Sequence, residues 1–95
     1  MTLRQLEVFS KVAKLKSFTE AGKELGGSRS PISAVISSLE RELETKLFER
    51  LGNKLKLTDA GKDLLDAARE ILRRVESIQQ RIAQASGLKK KDNDS

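Results

Sequence analysis

Residues 28–57 read SRSPISAVISSLERELETKLFERLGNKLKL, and the fold turns on how this stretch divides. In its first part, Ile32, Ile36, Leu39 and Leu43 recur at the spacing of a helix with one buried stripe. Ser28 stands at the N-cap of that helix. Arg29, Ser30 and Pro31 fill its first turn, where proline costs little because those amides lack intrahelical partners. The second part holds two short segments ending in apolar residues, Leu47-Phe48-Glu49-Arg50 and Leu55-Lys56-Leu57, around Gly52-Asn53. That dipeptide suits a two-residue hairpin turn. A helix over 28–43 followed by a hairpin is the expectation.

Upstream, Thr2 and Gln5 form a capping-box pattern, and Leu3, Leu6, Phe9, Val12 and Ala13 follow at helical spacing, so a helix is expected from Met1 to Lys16. Ser17-Phe18-Thr19-Glu20 repeats the start signal for a short helix through Leu25, which stops at Gly26-Gly27. Two helices joined by a tight glycine-containing turn after a supporting helix make a helix-turn-helix, and the hairpin behind it is a wing. Downstream, Thr58 opens a last helix with Asp59 and Asp63 near its positive end. Leu64, Ala68, Ile71, Val75, Ile78, Ile82 and Ala85 then alternate by four and three, a heptad seam. A helix from Thr58 to about Ser86 is roughly 40 Å long, too long for one small domain to cover. Its first two turns (Leu64, Leu65, Ala68) either join the seam or pack back on their own domain; from Val75 onward the seam calls for a partner. Residues 87–95, with Lys89-Lys90-Lys91, lack periodicity and read as a frayed tail or a cut linker.

The expected fold is therefore mainly α: a winged helix-turn-helix of three helices and a two-stranded wing over 1–57, then a long dimerising linker helix over 58–86. Composition narrows the function. There is no Cys and no His among 95 residues, which removes thiol nucleophiles, disulfides, zinc sites and imidazole bases. Acid pairs such as Asp63 and Asp66 lie on a charge-balanced helix face without a phosphate loop, so no catalysis, metal or cofactor is expected. The aromatic residues are Phe9, Phe18 and Phe48, too few for a single-strand stacking platform. No apolar run approaches a membrane span and no signal-peptide pattern opens the chain, so a soluble protein of the reducing cytoplasm is expected. Net charge is +5, and residues 1–57 hold 11 basic against 7 acidic residues while 58–86 hold five of each. A basic domain with pI near 9.7 fits either a polyanion, nucleic acid first, or a mildly basic solvated surface.

Leu3-Arg4-Gln5-Leu6 with Phe9, Ser17-Phe18-Thr19 with Ala21 and Leu25, Ser28, Ile32-Ser33, Ile36 and Leu39-Glu40 together resemble the opening of a LysR-type transcriptional regulator. The likeness is strongest in Leu47-Phe48-Glu49-Arg50 and Leu57-Thr58-Asp59-Ala60-Gly61, and it extends over about residues 3–85. The resemblance implies a bacterial winged helix-turn-helix whose linker helices pair antiparallel, setting two recognition helices on a dyad-symmetric DNA site. It also implies a small-molecule effector domain beyond the hinge at 87–95, absent from this chain, and a full-length dimer or tetramer. The chain departs from the family pattern at Gly22, Gly27 and the displaced Pro31. It departs also at Ala34, Ser37 and Ser38, where Arg or Gln is common.

The expected function is sequence-specific double-stranded DNA binding as a homodimer, with helix 28–43 in the major groove and wing 50–56 at the minor groove. Arg29 suits bidentate recognition of guanine, or a phosphate contact. Ser33 suits a short hydrogen bond to a base edge or phosphate, Ser30 lies on the same face opposite the apolar stripe, and Pro31 and Ala34 suit contact with thymine methyl groups; Ser37 is either at the base edges or solvated. Ser17, Thr19 and Ser28 suit phosphate, capping, or both. Asn53 and Lys54 sit at the wing tip, and Arg50 meets either phosphate or Glu49. The dimer seam is assigned to Leu64, Ala68, Ile71, Val75, Ile78 and Ile82. The competing expectations are a winged-helix module that docks proteins, or an oligomerisation module with an incidental basic surface.

Overall fold

The computed structural model describes residues 1–25 and 32–94, the side chains of 87–94 excepted. Within them the chain forms α1 (Leu3–Leu15), α2 (Phe18–Glu24), α3 (Ile32–Leu43), β1 (Phe48–Leu51), β2 (Lys54–Leu57) and α4 (Asp59–Asp94). No helix among the described residues is long and apolar enough to cross a membrane.

Both early helices start where local side chains satisfy their first amides. At α1, the Gln5 N–H donates to Thr2 Oγ1 at 3.1 Å and the Thr2 N–H donates to Gln5 Oε1 at 2.8 Å, a complete capping box. It ends at Lys16, whose left-handed φ of 54° lets its N–H reach the Val12 carbonyl at 2.7 Å. One residue later Ser17 Oγ accepts the Glu20 N–H at 3.0 Å and opens α2. The expected stop at Gly26-Gly27 and the cap at Ser28 lie outside the described residues.

The core is one cluster. Leu6, Val8, Phe9, Val12 and Ala13 of α1 meet Ala21 of α2, Ile32, Ile36 and Leu39 of α3, Leu47 and Phe48 at the base of the wing, and Ala68 of α4. Phe9 and Leu39 are fully buried, each contributing about 1.5–3 kcal/mol from the area removed from water. Two expectations are corrected here. Leu43 is exposed rather than part of the buried stripe, because the core ends one turn earlier at Leu39. Ala68 is fully enclosed by its own domain and so has no surface to give a dimer seam; Leu64 is half-buried against the same core.

The wing pairs antiparallel from Phe48 opposite Leu57 to Leu51 opposite Lys54. Gly52 takes the first turn position with φ 64°, and Asn53 stays out of the positive-φ region, the pattern of a type II′ turn. The wing joins α4 through Thr58. Its N–H donates to the Leu47 carbonyl at 3.0 Å, and its hydroxyl donates to the Lys46 carbonyl at 2.6 Å while accepting the Gly61 N–H at 3.0 Å.

Helix α4 runs 36 residues, about 54 Å at the helical rise, and continues eight residues past Ser86. The tail expected to fray is thus helical to Asp94, since Lys89-Lys90-Lys91 are good helix formers and no proline interrupts them. Leu65 and Leu72 also pack on the core, so the domain covers α4 one turn further than expected. Ile71, next to Leu72, is already 40% exposed, and farther along α4 Ile78 and Ile82 are 54% and 64% exposed.

Candidate nucleic-acid interface

Helix α3 turns Ile32, Ile36 and Leu39 inward, which by helical geometry leaves Ser33, Ala34 and Ser37 on the outer face; all three are exposed. Ser33 and Ser37 line a groove of about 620 Å³ between α3 and the wing. Ser28, Arg29, Ser30 and Pro31, the first-turn candidates, lie outside the described residues.

The remaining candidates converge. Ser17, Thr19, Arg50, Asn53 and Lys54 line one open cleft of about 390 Å³ between the start of α2 and the wing tip. Lys16 joins them, so the lining carries three cations, and it holds no carboxylate. This cleft shares Phe18, Arg50 and Leu55 with the groove beside α3, whose lining adds Lys46 and two carboxylates, Glu40 and Glu49. Ser17 Oγ accepts an amide as a cap, whereas Thr19 and Lys54 are exposed.

Of the two arrangements expected for Arg50, the pairing with Glu49 does not form. Its guanidinium lies over the Phe18 ring, 5.3 Å from the centroid, and forms no ion pair with Glu49. That stacking holds the charge in place while its edge stays open to solvent, worth about 0.5–1 kcal/mol at an exposed site. Phe18 is itself set against Phe48, with centroids 6.2 Å apart, and Phe48 against Phe9 at 5.3 Å. All three phenylalanines therefore form a chain from the core to the floor of the cation cleft.

Four residues at this surface were not singled out for it by the sequence reading: Lys16, Phe18, Lys46 and Glu40. Lys16 follows from the left-handed turn that places it beside Ser17. Glu40 is the most consequential, since its Oε2 accepts the Leu47 N–H at 2.8 Å and the Phe48 N–H at 3.4 Å. Lys46, 80% exposed, lies 3.9 Å from its other oxygen. An arrangement of clustered cations, hydroxyls and an amide side chain around an open cleft is chemically fitted to phosphate oxygens.

Comparison with known proteins agrees with this geometry. The family described as bacterial regulatory helix-turn-helix protein, lysR family, matches residues 3–62. The HTH-type transcriptional regulator YvbU of Bacillus subtilis is 44% identical over 89 residues, covering 93% of this chain and 30% of that protein. The transcriptional activator CmpR of Synechocystis is 38% identical, covering 94% and 29% respectively. The chain thus spans about a third of the length of these relatives. Among solved structures, CbnR_DBD in a complex with DNA superposes with a TM-score of 0.79 at 35% identity, covering 90% of this chain and 99% of that one. By its residues 3–62 and by these relatives, the chain belongs to the LysR family of bacterial regulatory helix-turn-helix proteins.

Proposed function

We propose that this chain binds double-stranded DNA sequence-specifically as a homodimer and thereby regulates transcription. The carrying observation is the carboxylate-free cation cleft of Lys16, Arg50 and Lys54, which shares Phe18, Arg50 and Leu55 with the groove beside α3. In this reading α3 enters the major groove and the wing lies at the minor groove. The cleft then grips the phosphates that flank them. Arg29 reads guanine through O6 and N7, Ser30 and Ser33 reach base edges or phosphate, and Pro31 and Ala34 rest on thymine methyls. That a solved relative is a complex with DNA supports the assignment.

The exposed isoleucines of α4 supply the second half of the proposal. Ile71, Ile78 and Ile82, with the half-buried Val75 between them, pair with those of a second copy, giving two recognition helices for a dyad-symmetric site. Small-molecule control, a higher assembly and a cytoplasmic setting belong to the full-length regulator and are proposed on the same family ground. Selection from randomised duplexes tests the reading: recovered sequences should share an interrupted dyad. Lys54→Ala should weaken binding to any duplex and flatten the salt dependence by about one unit. Recovery of no common sequence, with salt-insensitive binding, would favour a protein-docking module instead.

A further inference from the structure

Glu40 occupies the connection between the helix proposed to read bases and the wing proposed to hold phosphate. Its backbone carbonyl accepts the Thr45 N–H at 3.1 Å, while its side chain, only 15% exposed, accepts the Leu47 N–H at 2.8 Å and the Phe48 N–H at 3.4 Å. Leu47 is itself fully buried, and its carbonyl accepts the Thr58 N–H at 3.0 Å. The Leu47 residue is therefore held from α3 through its N–H and from the start of α4 through its C=O. We propose that Glu40 is a positioning residue for DNA binding: by accepting the amides at the root of β1, it sets the angle of the wing against α3. This rests on the DNA-binding function proposed above.

Leverage makes the anchor matter. Arg50 and Gly52 lie three and five residues beyond Leu47, roughly 10 and 16 Å along a strand. A tilt of about 10° at the root would move the wing tip by about 3 Å, enough to break a phosphate hydrogen bond. The ion pair of Glu40 with Lys46 is long and its lysine is exposed, so charge contributes little. What matters is an acceptor oxygen at the right reach, and this separates two conservative variants. Glu40→Gln keeps the oxygen and loses the charge. Glu40→Asp keeps the charge and withdraws the oxygen by one methylene.

Both variants are compared with the unmutated chain by thermal melting, by Leu47 amide hydrogen exchange in the unbound protein, and by titration onto a mixed-sequence duplex of about 30 base pairs across a salt series. Glu40→Gln should keep Leu47 protection and bind within about twofold of the parent. Glu40→Asp should lose that protection, bind about tenfold more weakly, equal to 1.4 kcal/mol, and lose about one unit of salt slope. It should also be non-additive with Lys54→Ala, which a merely destabilised fold would not produce. Equal behaviour of the two variants, or the reverse order, overturns the proposal. Failure of the parent chain to bind DNA defeats the functional reading alone, since Leu47 exchange tests the anchor without DNA.

Discussion

The winged domain and the outer part of α4 solve the same problem in opposite ways. Residues of α1 to β1 bury their large apolar side chains against one another, and Phe9, Val12, Leu39 and Leu47 are closed off from water within a single chain. Along α4 that closure stops at Leu72. Ile71, beside it, is already 40% exposed, and Ile78 and Ile82 farther out are 54% and 64% exposed. The first region buries its apolar side chains within the chain; the second leaves an apolar face exposed, the face proposed above to pair with a second copy. In the proposed function the small domain sets the shape of the reading surface, and pairing through the helix behind it sets how many such surfaces meet one duplex.

Substitutions on either side of that divide should separate the two. Leu39→Ala removes a fully buried side chain of the core cluster and should cost about 2–5 kcal/mol in chemical denaturation. The seam is addressed by Ile78→Asp. It should weaken self-association by more than about a hundredfold in sedimentation, because pairing would bury a charge, while leaving the melting of the winged domain in place. If Ile78→Asp remains associated, the distinction drawn between the two regions fails. Gly61 tests their junction: a Cβ there would overlap the Leu47 carbonyl oxygen and come within 2.9 Å of Leu57 Cδ2. Gly61→Ala should therefore destabilise by about 1–3 kcal/mol, as overpacking does. At the small end, a Cβ on Gly22 would meet Ile32 Cγ1 at an ordinary 3.6 Å. Gly22→Ala should stabilise by about 0.5–1 kcal/mol through helix propensity, seen as a raised melting temperature.

What the sequence made legible was whatever short-range chemistry decides. The caps at Thr2 and Ser17 depend on partners three residues away, the α3 stripe on helical period, and the wing on Gly52 between two short strands. Each was readable without the fold. Long-range partnerships were not. The stacking of Arg50 on Phe18 joins residues 32 positions apart, and the sequence offered Glu49 as the nearer partner. Glu40 accepts amides at the root of the wing from a helix position that a polar residue fills for many reasons. Heptad spacing located the apolar face of α4 but carried no information on where the domain's own cover ends. Ala68 was therefore assigned to the seam when it belongs to the core. The end of α4 was misjudged for a related reason: loss of apolar period marks the end of a packed face, not the end of a helix.

The central claim is that two winged domains, joined through α4, read one duplex. Fluorescence anisotropy of this chain on a duplex carrying an interrupted dyad, against a scrambled duplex across a salt series, tests it most directly. The account predicts preference for the dyad, two chains per duplex, and a salt slope of several units from the phosphate contacts. Absence of salt-sensitive binding to either duplex at low salt would contradict it.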